Sequence, residues 1–586
     1  MQSKYNRRKK INRKKKKKTV VSIEMESPSD PLLSNSNTKP KGGLRTMPFI
    51  IANEAFERVA SFGLSPNMIL YLTREYNMEN SRASNVILLW SAATNFLPVV
   101  GAIVADSYVG RYPMIGFGSI TSLLGMIMLW LTTIFPAAKP SPCIHMSCES
   151  PTTSQLMLLY TSFAFMSIGA GGIRSCSLAF GADQLDRGDS LENAGSLQTY
   201  FNWYGVVVTF SSIVALTCVV YIQDNLGWAV GFGVPVVLML LSVVSFFLAT
   251  PFYVKLKADS NLLSGLAQAV VASYKNRHIN QSTDDIYHVR KDSMLLVPSD
   301  KLRFLNKACT IRDPQQDLTP DGEASDPWSL CTVDQVEELK ALIKVIPIWA
   351  AGIMLAVNIT QTFMVIQASS MDRHITPNFE IPAGSLNIFM VITLTLWIGL
   401  YDRIFVPLAS RIRRKPTYLS TKQRMGIGLL FSSLSMASWA IVEGIRRDRA
   451  IKEGFSDNPQ AVVDVSAMWL LPHFVMDGLA EAFYSAAVNQ FFYTEFPKTM
   501  SSIATSLIGV GMSVANLVAS VILNAVDCVT KIGGNESWVS DNINKGHYDY
   551  YLWLLAGFSL ANFLYYLACS KTYGPCKSQV NKKIDQ

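Results

Sequence analysis

The sequence predicts an all-α membrane protein of twelve spanning helices arranged in two halves of six. Three observations carry that reading. The 586-residue chain is 49% hydrophobic and only 16% charged, where an ordinary soluble chain carries about 25% charge. Apolar runs of about 20 residues, long enough to cross a hydrocarbon core as a helix, recur along nearly its whole length. These runs fall six and six around one long polar segment, residues 253–335, which holds Pro, Asp and Lys/Arg but no continuous apolar stretch.

The spans follow in order. The first, 47–72, opens on "MPFII" and closes on "NMILYL". The second, 84–106, is built on "NVILLWSAATNFLPVVGAIVA", and the third, 112–135, on "MIGFGSITSLLGMIMLWLTTIF". The fourth, 155–180, ends in "SIGAGGIRSCSLAF"; the fifth is 197–222; the sixth, 227–252, contains "FGVPVVLMLLSVVSFFLA". Beyond the polar segment come 336–367, which includes "LKALIKVIPIW", then 384–407 and 425–446. The tenth, 465–495, contains "FVMDGLAEAFYSAAV", and 501–526 and 549–570 complete the set. The chain thus divides into a disordered basic tail (1–46), an N-terminal half (47–252), a central loop (253–335), a C-terminal half (336–570) and a short tail (571–586). Twelve helices halved by a central loop is the layout of the major facilitator fold, whose substrate site lies near the midplane between the halves.

Basic residues orient the chain. The connection 402–424 holds Arg403, Arg411, Arg413, Arg414, Lys415, Lys422 and Arg424 against Asp402, so it belongs in the cytosol. An even number of spans then places both termini and the central loop inside, and the plasma membrane is the expected location. One stretch argues the other way: 443–453 carries Arg446, Arg447, Arg449 and Lys452 on the expected outside, partly offset by Glu443, Asp448 and Glu453. The net charge of +9 comes from the tail, where residues 1–18 hold 11 Lys or Arg; the remaining 41 basic residues face 43 acidic ones. In front of twelve spans, that tail reads as a topology and anionic-lipid signal rather than a nucleic-acid tract. No cleavable signal peptide is visible, because polar sequence follows the basic run. On the outside, Asn535-Glu536-Ser537 is a glycosylation acceptor motif, and Cys143 and Cys148 lie close enough for a disulfide.

The charges inside the spans point to function, since each costs at least about 2.5–3.5 kcal/mol to insert near the bilayer centre. Glu54, Glu57 and Arg58 stand at i, i+3 and i+4, so they share one helix face. Burial raises a carboxyl pKa and an adjacent Arg lowers it, so two such glutamates can handle protons across the physiological range. Arg174 lies in the fourth span, and Asp477 and Glu481 lie one turn apart in the tenth. A base in one half and an acid in the other make a salt bridge that can form in one access state and break in another. Asp477 reads as a second titrating carboxylate or as a packing group, and His473 as a pocket-lining or a structural histidine. Lys344 is expected to snorkel at the cytosolic end of the seventh span. No P-loop, nucleophile with a base, or metal-ligand spacing among the nine cysteines suggests an enzyme or a cofactor beyond protons.

These segments resemble the plant nitrate/peptide transporter family, the plant branch of the proton-dependent oligopeptide transporters. Glu54-x-x-Glu57-Arg58 matches its E-x-x-E-R motif. "GGIRSCSLAFGADQLD" (171–186) and "YFNWYG" (200–205) are similar to its fourth- and fifth-helix signatures. So are "SMDRHITPNFEIPAGSL" (370–386), "YDRIFVPLA" (401–409) and "EFPKTMSS" (495–502), while "GAIVADSYVGRY" (101–112) resembles the broader facilitator loop. The resemblance covers about residues 42–570 and implies proton-driven symport by alternating access. Glu54, Glu57 and Arg58 would couple protons, and Arg174 and Glu481 would face each other across the cavity.

Three departures bear on cargo. The family's usual fourth-helix Lys is replaced by Arg174, which stays charged and can hold a planar anion bidentately. The Tyr pair of peptide-transporting relatives is replaced by Ser61 and Phe62. The mid-span-seven His of some nitrate-transporting members is missing, leaving Asn358 and Gln361 as nearby polar groups. The expected partner is therefore a small anion, nitrate first, with organic anions such as hormones or specialised metabolites as the close alternative. A di- or tripeptide carrier or a nutrient sensor ranks lower. The bilayer is the other expected partner, nucleic acid is not, and oligomeric state is left open.

Overall fold

The structure, a computed structural model, describes residues 42–43, 45–141, 149–185, 191–255, 262–278, 286–290, 297–414, 418–497 and 500–574. The basic run of the tail, Cys143, Cys148 and residues 575–586 lie outside the described residues. Within them, twelve rods follow the predicted order. In the first half, α1 is Met47–Leu64 continued by Met68–Arg74, α2 is Asn80–Val104, α3 Arg111–Ile134, α4 Thr153–Leu185, α5 Leu191–Val214 and α6 Trp228–Leu248. In the second, α7 is Val333–Ile359 continued by Phe363–Ser369, α8 Ile388–Leu400, α9 Thr421–Lys452, α10 Leu471–Glu495, α11 Ser501–Thr530 and α12 Tyr548–Tyr573.

Ten of the described helices are long and apolar enough to cross a membrane on composition alone. The two rods that fall short are α1 and α10, the same two that carry Glu54, Glu57 and Arg58, and Asp477 and Glu481. The protein is an integral, multi-pass membrane protein.

Helix starts follow local chemistry. Thr332 and Ser420 each accept the backbone N–H three residues on, while Gln335 and Gln423 reach back to the cap, so α7 and α9 open on capping boxes. A sequence-based start at 465 for the tenth span is six residues early. Residues Val463–Ser466 instead pair as a short strand with Met371–Asp372, and α10 begins with proline in its first turn. The 3.6-residue period also gave no sign of the π turns that extend α2 (Ala105–Val109), α5 (Ala215–Val219) and α8 (Tyr401–Phe405).

Within each half, helices close on small residues, as lipid gives them no hydrophobic reason to associate. Along α3 and α4 the backbones nearly touch. A Cβ on Gly169 would lie 2.5 Å from the backbone N of Ser122, and one on Gly118 would lie 2.8 Å from the carbonyl O of Gly169. Gly169→Val is therefore expected to separate the pair and leave little folded protein, as read by fluorescence-detected gel filtration of detergent extracts.

The arginine-rich stretch that argued against the orientation is structural. Arg446 and Glu443 are both fully buried at the end of α9 and pair through Nε–Oε2 at 2.8 Å and Nη2–Oε1 at 2.7 Å. Arg446 also donates to Asn544 Oδ1 and to the Ile543 carbonyl. Arg447 donates to the Gly546 carbonyl, and Arg449 is paired with Glu453. These cations are neutralised or tied down in the loop before α12, so they do not stand as free loop charge. Removing one member of a buried pair strands the other, at about 3–5 kcal/mol. Glu443→Ala should show that loss as a lowered midpoint in thermal unfolding.

The halves meet along α2 and α11. Define the loop end as the end from which α1 rises, beside the central segment, and the far end as its opposite. At the far end the halves are tied by a polar seam. Asn80 N–H donates to Asp541 Oδ1 at 2.6 Å, and Asn85 Nδ2 donates to Asn524 Oδ1 at 2.7 Å while its Oδ1 accepts from Ser520 at 2.7 Å. Ser84 and Thr362 hydroxyls lie 2.6 Å apart, and Arg373 approaches Asp224 at 3.5 Å.

Candidate functional site

Two broken helices mark the site. α1 is interrupted at Ser65-Pro66-Asn67 and α7 at Thr360-Gln361-Thr362. Each is the first helix of its half, and interruptions at matching positions of two repeats point to a binding site, because free backbone groups are tolerated where they line a cavity. A cavity of about 370 Å3 lies there, with Ser65, Pro66, Thr360, Gln361 and Thr362 in its wall. The π turn in α5 places Leu216 on the wall as well. The polar seam lies on the far side of this cavity and shares Thr362 with its wall.

Below the breaks stands a four-membered charge cluster. Glu54 and Glu57 are fully buried on α1. Arg58 Nε donates to Glu54 Oε1 at 2.9 Å, one turn away on the same helix. Arg174, on α4, brings Nη2 to 3.5 Å from Glu57 Oε1, and Ser61 donates to that same oxygen at 2.6 Å. The Phe62 ring lies under both guanidiniums, 5.3 Å from that of Arg58 and 5.6 Å from that of Arg174. Two carboxylates and two guanidiniums make a neutral set. Each carboxylate still keeps one oxygen, Oε2, without a hydrogen-bond partner, and Arg174 keeps its Nε unpartnered. The set is balanced in charge but not saturated in hydrogen bonds.

The residues singled out from the sequence sort as follows. Ser61, Phe62, Gln361 and Arg174 line the cavity. Glu54, Glu57 and Arg58 stand directly behind them. Asn358 does not reach the cavity: it is buried and donates to Ser432 Oγ and Ser559 Oγ, both at 2.8 Å, inside the second half. The break after Ile359 turns the chain, so Gln361 faces the cavity where Asn358 faces α9 and α12. His473 is buried too, with its Nδ1 2.7 Å from Ser435 Oγ and its ring against Trp439. Asp477 is buried between helices and does not line the wall. Arg174 is paired with Glu57 rather than with Glu481, so the cross-half bridge expected from the sequence is not the arrangement in this state. Lys344 lies 3.5 Å from Glu495 with its ammonium over the Tyr573 ring, a half-exposed group at the loop end. Asn535 is exposed on the turn between α11 and α12 at the far end, open to modification.

Several wall residues carried no charge to draw attention. Trp90, Ser91, Thr94 and Asn95 on α2 all face the cavity, and Trp90 stacks on Phe163 at 4.6 Å. The run "WSAATN" shows three polar side chains at i, i+3 and i+4, one face of an otherwise apolar span, and that pattern could have flagged them.

Comparison with known proteins agrees with this architecture. Residues 112–539 match the POT family. The chain is similar to "Protein NRT1/ PTR FAMILY 1.2" of Arabidopsis thaliana, 53% identical over 567 residues, covering 95% of this chain and 93% of that protein. It is similar to "Protein NRT1/ PTR FAMILY 1.1" of the same organism at 52% over 579 residues, covering 96% and 98%. Among solved structures, an auto-inhibited POT family peptide transporter superposes with a TM-score of 0.66 at 18% identity, over 91% of this chain and 98% of that one. The POT family transporter PepTSo gives 0.65 at 18%, over 90% and 98%.

Proposed function

Because the chain belongs to the POT family, and is thus a transporter and not an enzyme, we propose that it is a proton-coupled symporter that imports a small anion, nitrate first, across the plasma membrane. The loop end then faces the cytosol with both termini, and the far end faces outside.

One observation carries the anion reading. Among the residues lining the cavity, Arg174 is the only charged side chain. A lone cation at the wall of a chamber otherwise lined by apolar, hydroxyl and amide groups attracts a negative ligand. A zwitterionic peptide would also need a carboxylate on the wall for its amine, and none of the lining residues supplies one. A proton arriving on Glu57 removes the charge that holds Arg174 and frees the guanidinium for the anion. Loss of that proton to the cytosol restores the Glu57–Arg174 pair and expels the anion. Glu481 offers Arg174 an alternative partner when the cavity faces outside. Glu54 and Arg58 hold their own pair beside Glu57 and keep the local charge balanced.

A second reading has its own support. The cavity's 370 Å3, walled by Phe62, Ile69, Ile87, Trp90, Met126 and Met166, exceeds what a four-atom anion fills and suits an organic anion with an apolar body. Tracer uptake at acidic and neutral outside pH, with labelled nitrate, a dipeptide and aromatic carboxylates in parallel, separates the readings. Acid-stimulated nitrate flux is the expected result. Flux of carboxylates alone selects the second reading, and no acid-stimulated flux of any anion overturns both.

A further inference from the structure

Three titratable groups stand in a row on α10: His473, Asp477 and Glu481, at i, i+4 and i+8. Successive members lie one above the other on one helix face and span about 12 Å along its axis. The row runs from the far end toward the loop end. His473 Nε2 lies 3.8 Å from Asp477 Oδ2, and Asp477 Oδ1 has no hydrogen-bond partner although the residue is buried.

The row lacks what the charge cluster of the first half has. There, two guanidiniums balance two carboxylates. Here, among the described residues, no Lys or Arg is paired with either Asp477 or Glu481. On α10 itself the facing titratable groups are His473 and Tyr484. From α9 come Ser435, bonded to His473, and Trp439, stacked on it. From α8 come Thr393 and the Met390 carbonyl, both close to Gly478. Asp477 as a buried carboxylate without a cation is strongly disfavoured, and half-buried Glu481, one turn away and also without a cation, adds to the cost. The row therefore holds protons. Written as neutral His473 with protonated Asp477, or as imidazolium with carboxylate, the upper pair carries one. Like charges one turn apart repel, so Asp477 and Glu481 exchange protons as a linked pair.

We propose that His473, Asp477 and Glu481 form a second proton-carrying site, in the C-terminal half, that moves one proton per cycle in addition to the one handled at Glu57. The proton binds the Asp477 carboxylate from outside and leaves through the Glu481 carboxylate, one turn nearer the cytosol. No bond other than O–H or N–H is made or broken. When Arg174 takes Glu481 as its partner, Glu481 is ionised and Asp477 keeps its proton; when Arg174 returns to Glu57, Glu481 is free to receive that proton and pass it on. With two protons against one monovalent anion, each cycle moves net positive charge inward.

This inference rests on the proton-symport reading, and the test separates the two. Current and tracer uptake are measured together in the same cells for the full-length wild type, Asp477→Asn and Asp477→Glu, with nitrate as the probe. Wild type is expected to move about one net positive charge per nitrate. Asp477→Asn, which matches the shape of the protonated acid, is expected to lose that current while nitrate uptake at acidic pH persists, and Asp477→Glu to restore it. If the amide variant fails to reach the membrane, Asp477→Ser takes its place with the same expectation. An unchanged charge per nitrate in Asp477→Asn overturns this site and leaves symport standing, and makes Asp477 a packing group with a permanent proton. Nitrate uptake in wild type that ignores pH overturns the symport reading and this site with it.

Discussion

Arg174→Ala is expected to abolish acid-driven anion uptake, a fall of about 100-fold or more in initial rate per molecule at the surface. The reasoning has two parts. Among the described residues the cavity loses its only charged side chain, and hydrogen bonds to a charged group contribute about 1.5–3 kcal/mol, or roughly 10- to 100-fold, before the second donor of a bidentate contact is counted. Glu57 also loses its cation partner and keeps only the Ser61 hydroxyl, at 2.6 Å. With no guanidinium to draw back to Glu57, the step that releases the anion is lost as well. Arg174→Lys keeps the charge as a compact point donor without the planar fork and should recover part of the rate. Tracer uptake normalised to surface-labelled protein decides it. If Arg174→Ala retained half of the wild-type rate, Arg174 would not be the anchor.

Glu57→Gln separates binding from coupling. The amide preserves the shape and can still accept from Ser61, so the local hydrogen-bond frame survives. The charge is gone, so Arg174 is never drawn back from the anion. Exchange of internal for external anion should persist, while accumulation against a gradient should vanish and the residual flux should ignore outside pH. Counterflow in loaded vesicles reads the first, and uptake across a pH step reads the second. Undiminished, acid-stimulated accumulation in Glu57→Gln would remove Glu57 from the coupling route. The companion change Glu54→Gln gives Arg58 an uncharged acceptor in place of its carboxylate partner at 2.9 Å and is expected to slow the cycle without erasing its pH dependence.

Much of this was legible in the residues. Apolar length marks ten of the twelve rods, α1 and α10 falling short, and the cost of burying charge makes Glu54, Glu57, Arg58, Arg174, Asp477 and Glu481 conspicuous. Their partners were not legible, because pairing across helices depends on which way each rod is turned and on which access state is populated. Arg174 finds Glu57 in its own half here, whereas sequence alone suggested Glu481 in the other. Asn358 and Gln361 illustrate the same limit at short range. Three residues apart on an unbroken helix they would share a face, yet the break at 360–362 sends one into the protein and the other into the cavity. The signal for that break, a Thr-Gln-Thr in an apolar span matched by Ser65-Pro66 in the first, is present in the sequence. The cations near 446 look like misplaced loop charge until burial and the Glu443 partner are seen.

The polar seam at the far end has a bearing on direction. Apart from Arg373 with Asp224 and the Asp541 carboxylate, its bonds join neutral groups, amide to amide, hydroxyl to hydroxyl and hydroxyl to amide. Water offers such groups equivalent partners when the seam parts, so each bond favours closure by only about 1 kcal/mol. A clasp so shallow works as a turnstile and not as a ratchet. Nothing in it prefers entry over exit, and the sign of net movement is left to the concentrations of proton and anion on the two sides. The same molecule, loaded from within and facing an alkaline exterior, would run in reverse.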